Sequence, residues 1–546
     1  MAKITLRSRI DRGMLRAHAR LDTRSADIAI SWLFVLVLFV VLEWFTLVRY
    51  WGLGYGSELA SAVQGFWLIG EGYWPDSTLL GESYIAQQAS FIIYPLAQLT
   101  KIFPPAQTLL TIQALALALG IVPLWKLSRR EANLGVGTSV VIIFAYGVSA
   151  AIHNMNLAGF HPETLAIPAL LGIVLHTRLG RRHPASQMGQ SATALRAATR
   201  RAPNRMFTGH RHWWSVTPLE KTNMSRRDLI LLWILVAVVI LSRADLALVI
   251  AAYGVLVIIE GREKLGWILF WIGAVWFPIV VWVIQPALSG GDYLYVQYFS
   301  EYGTENPLYV IGGMLSQPGD VLRDIFTQSN FITIVKLIAP LVFLPLVAFR
   351  YLLPAIPLYA LYLVADVPEG PIAEATQTIP LLVFVFVAAV FALKRSGQVL
   401  VKRVRVNRQV VVALALAAAV FFIQDSGTSP YQNSWGWYNQ STEETIRLDA
   451  VDIVPEDAVV RASPSFLPRL AERVGVYELD TTDQARDDAS RSMQGVDWIL
   501  LDLDDAPVWG NQSLEVQRFA TVLRQGGWEQ EYSLSGAIVF HYTGNV

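Results

Sequence analysis

"NLAGFHPETLAIPALLGIVLH", residues 156–176, runs from a polar turn into an apolar stretch suited to lipid. The helix it announces carries Leu165, Ala166, Ile167, Leu170 and Leu171, yet it begins with His161, Pro162 and Glu163. Proline in a first turn costs no hydrogen bond, because the first N–H groups of a helix have no partner within it. An acid beside a helix start is favoured by the macrodipole. Cap chemistry therefore accounts for the turn by itself, and any further role depends on what surrounds it.

The surroundings are a membrane protein. Hydrophobic residues make up 54% of the 546 and charged ones only 16%, and the mean hydropathy is +0.42, which argues against an ordinary soluble chain. With no cysteine there is no disulfide framework, no thiolate metal site and no cysteine nucleophile. A helix that crosses a bilayer needs about 20 mostly apolar residues. Eleven stretches approach that test, near 28–49, 107–125, 136–152, 163–178, 229–242, 245–260, 265–288, 330–348, 351–365, 376–393 and 409–424. The basic leader before the first span, residues 1–27, exceeds a signal-peptide n-region and no small-residue cleavage site follows, so that span is expected to be retained.

A formal net charge of zero hides strong segregation. Lys and Arg resist translocation and mark the cytoplasmic side. They gather in the N-terminus, in "WKLSRR" at 125–130, in the loop 178–228 and in "KRSGQVLVKRVRVNR" at 394–408. An odd count of spans then places the N-terminus inside the cytoplasmic membrane and the C-terminus outside. The segment "QASFIIYPLAQLTKIF", 88–103, breaks the alternation and is expected to lie along the outer interface or to re-enter. Arginines with Trp213 and Trp214 in the long basic loop raise the question of nucleic acid; juxtamembrane basic clusters usually meet anionic lipid, so no nucleic-acid partner is expected.

Three parts follow: a basic cytoplasmic N-terminus over 1–27, a transmembrane region over 28–424, and a separate exterior α/β domain over 425–546. From Asp425 onward there are 20 acidic and 8 basic residues. Short β-type runs, "AVVRAS", "VGVYEL" and "VDWILLDLDD", alternate with polar connectors; a helical "SLEVQRFATVLRQGG" and a strand-like "AIVFHY" close the chain. The "DLDD" run fits either a metal or phosphate site at a strand's carboxyl end or a solvated acidic turn. Asn439 and Asn511 match the glycosylation acceptor pattern.

Between the fifth and sixth spans there is almost no loop, only "SRAD", which sets Arg243 and Asp245 at the outer level. Charges at membrane depth are costly unless paired or lining a wet cavity. An ion pair of Arg243 with Asp245 or Glu163 explains them without function. Glu58, shortly after the first span, supplies a further carboxylate on the same side. Glu58, His161, Glu163, Arg243 and Asp245 thus converge from three separate stretches.

In order and spacing, "SELASAVQGFW", "SFIIYPLAQLTKIFPPAQTLLTIQALALALGIVPLWKLSRR", "GFHPETLAIPALL", "SRADLAL" and "KLIAPLVFLPLVAFRYLLPAIPLY" resemble the predicted multi-pass membrane proteins grouped as domain of unknown function 2079. The likeness continues through "VDIVPEDAVVRASPSFLPRLAERVGVYEL". By helix plan that family looks like the GT-C class of glycosyltransferases, which use a polyprenyl-phosphate-linked sugar and a carboxylate in the first exterior loop. Glu58 falls where the family usually has Asp. His161, Pro162 and Glu163 match as they stand, and "SRAD" replaces a usual Lys-Glu-Asp, so that Arg243 keeps the charge and Ala244 loses a carboxylate. The family's His near Gln88 and its His-Tyr near "AEATQTIP" are not present.

The resemblance implies transfer of a sugar from a polyprenyl-phosphate donor to an exterior cell-envelope acceptor. Glu58 would deprotonate the acceptor hydroxyl and Arg243 would meet the departing phosphate. His161 would bind phosphate or orient the acceptor, while Glu163 and Asp245 would hold His161 and Arg243 or bind a divalent metal. Two other classes stay open: a transporter of polyprenyl-phosphate or another lipid, and a non-catalytic scaffold whose C-terminal domain binds a protein partner. No inverted repeats and no Walker motif speak for transport.

Overall fold

The computed structural model describes residues 21–178, 224–291, 293, 296–365, 378–400, 403–430, 442–479, 495–503 and 513–543. Much of the N-terminal leader, most of the loop 178–228 with Trp213 and Trp214, the segment around "AEATQ", and Asn439, Asp504, Asp505 and Asn511 lie outside the described residues.

Among the described residues, six helices are long and apolar enough to cross a membrane. They are α1 (Arg24–Trp51), α3 (Pro105–Glu131), α4 (Val136–Leu157), α8 (Glu263–Leu288), α9 (Ile379–Ser396) and α10 (Arg408–Asp425). Shorter helices fill three of the five remaining expected positions: α5 (Ala166–Arg178), α6 (Arg226–Ser242) and α7 (Leu246–Ile259). α2 (Ser57–Glu71) lies in the loop after α1. α9 is enclosed by the others along nearly its whole length, and α7 and α8 pack so closely that a Cβ on Gly254, Gly266 or Gly273 would overlap the facing backbone.

The stretch expected to hold two spans over 330–348 and 351–365 is broken instead. Gln328–Ile338 gives way to a 3₁₀ turn, then Val342 and Phe343 at φ 54° and 53°, and two short helices, Leu344–Val347 and Ile356–Val364. Pro340, Pro345, Pro354 and Pro357 each remove a backbone donor and crowd the preceding turn, which hydropathy alone does not register. The segment 88–103 also forms no span. It holds parts of two short helices, Tyr84–Gln88 and Ile93–Ala97, with Ile102 and Phe103 exposed beyond them.

Charge sorts the two ends of the bundle. At one end Arg129 pairs with Asp22 and Asp27, His176 lies 3.3 Å from Asp228, Arg178 meets Glu260, and Lys394 donates to the Glu131 carbonyl (2.7 Å). The antiparallel pair β3 (Gln398–Leu400) and β4 (Arg403–Arg405) joins this end through the Val404 N–H and the Asn133 carbonyl (2.9 Å).

At the other end a hairpin of β1 (Asp76–Ser77) and β2 (Glu82–Ser83) leads to a five-stranded sheet. Its strands are β5 (Val460–Ala462), β6 (Val476–Glu478), β7 (Trp498–Asp502), β8 (Trp528–Leu534) and β9 (Ala537–Tyr542), in the order β6-β5-β7-β9-β8. Both neighbours of β5 run parallel to it, and β9 pairs antiparallel with β7 and β8. β8, from "WEQEYSL", was not among the expected strands, because its alternation is mostly polar.

The two faces of β7 show how the sheet is used. Ile499 and Leu501 pack with Phe519 and Leu523 of the helix Ser513–Gln525, while Leu500, one residue out of phase, joins a core that includes Leu59, Val63 and Phe66 of α2. The sheet is therefore not a separate unit: its second face is covered by the loop after the first span. Gln64 fastens the junction. Its Nε2 donates to the Thr78 hydroxyl (2.8 Å) and the Val474 carbonyl (3.1 Å), and its Oε1 accepts from Ser77 (2.7 Å).

Candidate functional site

The Gly-Phe-His turn is built before the charges are placed. Gly159 holds φ at +116°, a conformation costly for any residue with a Cβ, and lies against the first turn of α2 at Leu59. Phe160 inserts edge-on against Phe66 (5.3 Å, 88°). Gln113 of α3, fully buried, accepts the His161 N–H (2.8 Å) and donates to the Met155 carbonyl (3.1 Å). Glu163 sits in the 3₁₀ turn Pro162–Leu165 that opens α5, so the Pro-led start is as expected, with one tight turn before the α-helix.

These constraints aim His161 at Glu58. Its Nε2 lies 3.1 Å from Glu58 Oε1, in an orientation that falls short of a well-formed hydrogen bond, and its Nδ1 lies 3.7 Å from Glu163 Oε1. The same Glu163 oxygen accepts from Arg243 Nη1 (2.8 Å), and Arg243 Nε donates to Asp245 Oδ1 (2.8 Å). Arg243 Nη2 donates to the Tyr362 hydroxyl, which in turn donates to Asp245 Oδ2. The five residues named from sequence thus form one unbroken chain of alternating charge. Glu163 is buried, with 2% of its side chain exposed, whereas Glu58 is 63% exposed. The chain starts at the surface with Glu58, passes through the buried Glu163 and Arg243, and ends at the partly exposed Asp245.

The electrostatics agree with the geometry. Burial works against the charged imidazolium of His161, but the contact with Glu58 and the charge of Glu163 outweigh it and hold its pKa above the ordinary value. Burial likewise opposes the Arg243 charge, and Asp245 and Glu163 more than offset it. Tyr84, fully buried, packs on Phe66 where Gly65 leaves room for its ring. Burial, reinforced by Glu163 and Glu58, pushes its phenol up.

Three residues of the neighbourhood were not legible in the sequence. Gln113 and Tyr362 sit in apolar runs and Tyr84 in a mixed polar loop, where one amide or hydroxyl carries no signal until its partner is known. Gln88, where the family has His nearby, ends the helix Tyr84–Gln88. Ala244 is buried against Ala89 and Val280, so a carboxylate there would be enclosed by apolar groups.

The "DLDD" alternatives resolve in part. Asp502 is buried, pairs with Arg447 (3.1 Å) and accepts from Ser465 (2.8 Å), so this first aspartate is satisfied by the protein itself. Among the described residues no group of three or more His, Asp or Glu side chains is disposed to hold a metal ion. The candidate site itself spends Glu163 and Asp245 on Arg243.

Two solved proteins are similar to the chain at low identity. The crystal structure of ArnT from Cupriavidus metallidurans bound to undecaprenyl phosphate is 13% identical, with a TM-score of 0.46 over 92% of this chain and 97% of that one. The arabinofuranosyltransferase AftD from Mycobacteria is 14% identical, with a TM-score of 0.44 over 94% of this chain and 40% of that one. No curated protein matches the chain. The family model for DUF2079, described as a predicted membrane protein, matches residues 56–183 and 221–539, which include Glu58, His161, Glu163, Arg243 and Asp245. The chain is a member of the DUF2079 family of membrane proteins.

Proposed function

We propose that the protein is an integral-membrane glycosyltransferase that moves a sugar from a polyprenyl-phosphate donor to an acceptor at the outer face of the cytoplasmic membrane. The observation that carries this is the charge chain from Glu58 to Asp245, whose most exposed carboxylate, Glu58, is linked through His161 to the buried Glu163 and Arg243. A cap needs no such chain, and a structural ion pair needs no exposed terminus. The resemblance of its family to the GT-C class fits the same chemistry, since that class places a carboxylate in the first exterior loop.

In the proposed reaction Glu58 takes the proton of the acceptor hydroxyl as that oxygen bonds to the anomeric carbon. The bond from this carbon to the phosphate oxygen breaks, and polyprenyl phosphate leaves with the electron pair. His161 orients Glu58 and, with Arg243, supplies positive charge near the departing phosphate. Two of the five Arg243 N–H groups are uncommitted after Glu163, Asp245 and Tyr362 are served. Glu163 and Asp245 are positioning residues. The basic end is assigned to the cytoplasm by the positive-inside rule, which sets the sheet outside.

The test is consumption of a radiolabelled polyprenyl-phosphate sugar by the purified protein in nanodiscs, with release of free polyprenyl phosphate as the product signal. Consumption that Glu58→Gln abolishes supports the proposal; no consumption with any of several donors rejects it. A reporter fused after residue 546 is expected to be active outside the membrane and one inserted near Leu195 inside.

A second reading, a non-catalytic scaffold, is favoured by one observation. Arg243 is already satisfied by two carboxylates and a tyrosine, as a purely structural cluster would be. Retained binding of a protein partner with no donor turnover would select it.

A further inference from the structure

Beside the candidate site lies a second cavity that the proposed chemistry does not use. It is a cleft of about 530 Å³ between the β1–β2 hairpin, the end of α8 and β6 of the exterior sheet. Asp76, Glu82, Ser83, Leu288 and Tyr477 line it, so three stretches remote in sequence build one wall. Its frame is fixed. Thr78 donates to the Val476 carbonyl (2.6 Å) and accepts its N–H (3.1 Å), and Gln64 holds Ser77 and Thr78 from below.

One lining group is unfinished. Ser83 is 3% exposed and its hydroxyl has no hydrogen-bond partner among the described residues, a state that ordinarily costs about 1–3 kcal/mol. Around it the cleft offers an aromatic ring and an aliphatic side chain beside two carboxylates. That mixture suits a ligand with apolar C–H faces and a rim of hydroxyls, and its negative charge disfavours an anionic one.

Position ties the cleft to the reaction. Ser83 runs directly into Tyr84, whose ring rests on Gly65 and Phe66 of α2. Those residues lie roughly 10 Å along the helix from Glu58, about two turns.

We infer that this cleft seats the acceptor, and that the acceptor is a neutral, polyhydroxylated glycan chain whose reacting end reaches Glu58. The inference rests on the glycosyl-transfer proposal for its meaning as an acceptor site. It gives the exterior sheet a part in substrate selection through Tyr477, and it gives the hairpin a reason to be pinned on two sides.

The test uses the full chain in nanodiscs with maltotriose, chitotriose and mannotriose as neutral probes and trigalacturonate as an anionic control, read by saturation-transfer NMR. At least one neutral trisaccharide should bind and trigalacturonate should not. Tyr477→Ala and Asp76→Asn should each weaken binding tenfold or more, the first with a modest loss of Tm because its ring also packs on the sheet core and the second at unchanged Tm. Ser83→Ala removes an unsatisfied hydroxyl, so it should not lower Tm, yet it should weaken binding several-fold. No neutral binding, equal binding of trigalacturonate, or binding indifferent to Tyr477→Ala and Ser83→Ala would overturn the inference. If the protein consumes a lipid-linked sugar while Tyr477→Ala leaves the acceptor KM unchanged, the cleft assignment falls and the transfer proposal stands. Saccharide binding that maps to the cleft without donor consumption overturns the transfer proposal and keeps the cleft as a saccharide site.

Discussion

Both ends of the helix bundle bury an arginine with carboxylates, and they do so differently. At the basic end Arg178 and Glu260 form a closed pair, each with 4% of its side chain exposed. The Arg178 guanidinium lies 4.7 Å from the Phe391 ring and 5.0 Å from that of Tyr351, and the pair leads nowhere. At the opposite end Arg243 is equally well served, but its partner Glu163 also neighbours His161, and His161 neighbours an exposed Glu58. A buried ion pair adds little net stability over apolar packing, although losing one partner is expensive. The closed pair can be read as a device that fixes how α5, α7 and α9 meet. The open chain carries its charge to a surface, where a substrate can feel it.

The comparison breaks or holds first on Glu58 against Glu260. Glu58→Gln keeps the volume and loses the proton acceptor, so donor turnover should fall about 10²–10⁴-fold while the unfolding transition stays in place. Glu260→Gln should do the reverse: it leaves Arg178 buried without its counter-charge and should cost about 3–5 kcal/mol of stability, with turnover per folded molecule unchanged. Radiolabelled donor consumption and thermal unfolding on the same preparations decide it. Equal losses that track stability in both variants would make the two ends alike and end the catalytic case.

What the sequence disclosed follows the same division. Charges at the ends of apolar runs stand out because they are costly in lipid, so His161, Glu163, Arg243 and Asp245 could be picked out residue by residue. Their contact needed more: the positive φ of Gly159 and the Gln113 clamp decide where His161 points, and neither has a periodic signature. The length of apolar stretches marked α1, α3, α4, α8, α9 and α10, yet it misjudged 330–365, where four prolines interrupt a hydrophobic stretch. In the C-terminal sheet the parallel strands were visible as buried apolar runs, whereas β8, exposed along most of its length, read as connector.

His161 offers a finer test, by pH. Its pKa is raised in the folded protein, so the stability it contributes is fully present below its ordinary value of 6.5 and is lost as pH rises through the higher folded value. Between about pH 6.5 and 9, the Tm of the native protein should fall more steeply than that of His161→Gln, and the two curves should approach each other at the alkaline end. No equivalent titration exists in the closed Arg178–Glu260 pair, since an arginine keeps its proton across this range. Parallel curves would mean that His161 is neutral in the folded state and that the charge chain is interrupted at its second link.

The smallest effect expected is also the most specific to the comparison. Tyr362 accepts from Arg243 and donates to Asp245, while its ring lies 5.6 Å from the Arg243 guanidinium. Tyr362→Phe keeps the ring and removes the bridge. Asp245 is partly exposed and can turn to water, but Arg243 is buried and loses a partner it cannot replace. The stability cost should be about 1–2 kcal/mol. Tyr253→Phe is the matched control, because Tyr253 makes a buried hydroxyl contact with Thr177 beside the Arg178 pair and its removal should cost a similar amount. The difference lies in turnover. Loosening Arg243 should pass through Glu163 and His161 to Glu58 and lower donor consumption a few-fold, with the pH dependence of turnover displaced, whereas Tyr253→Phe should leave both untouched. If Tyr362→Phe lowers stability and leaves turnover and its pH profile as they were, Arg243 and Asp245 belong with the closed pair at the basic end, and the active chain stops at Glu163.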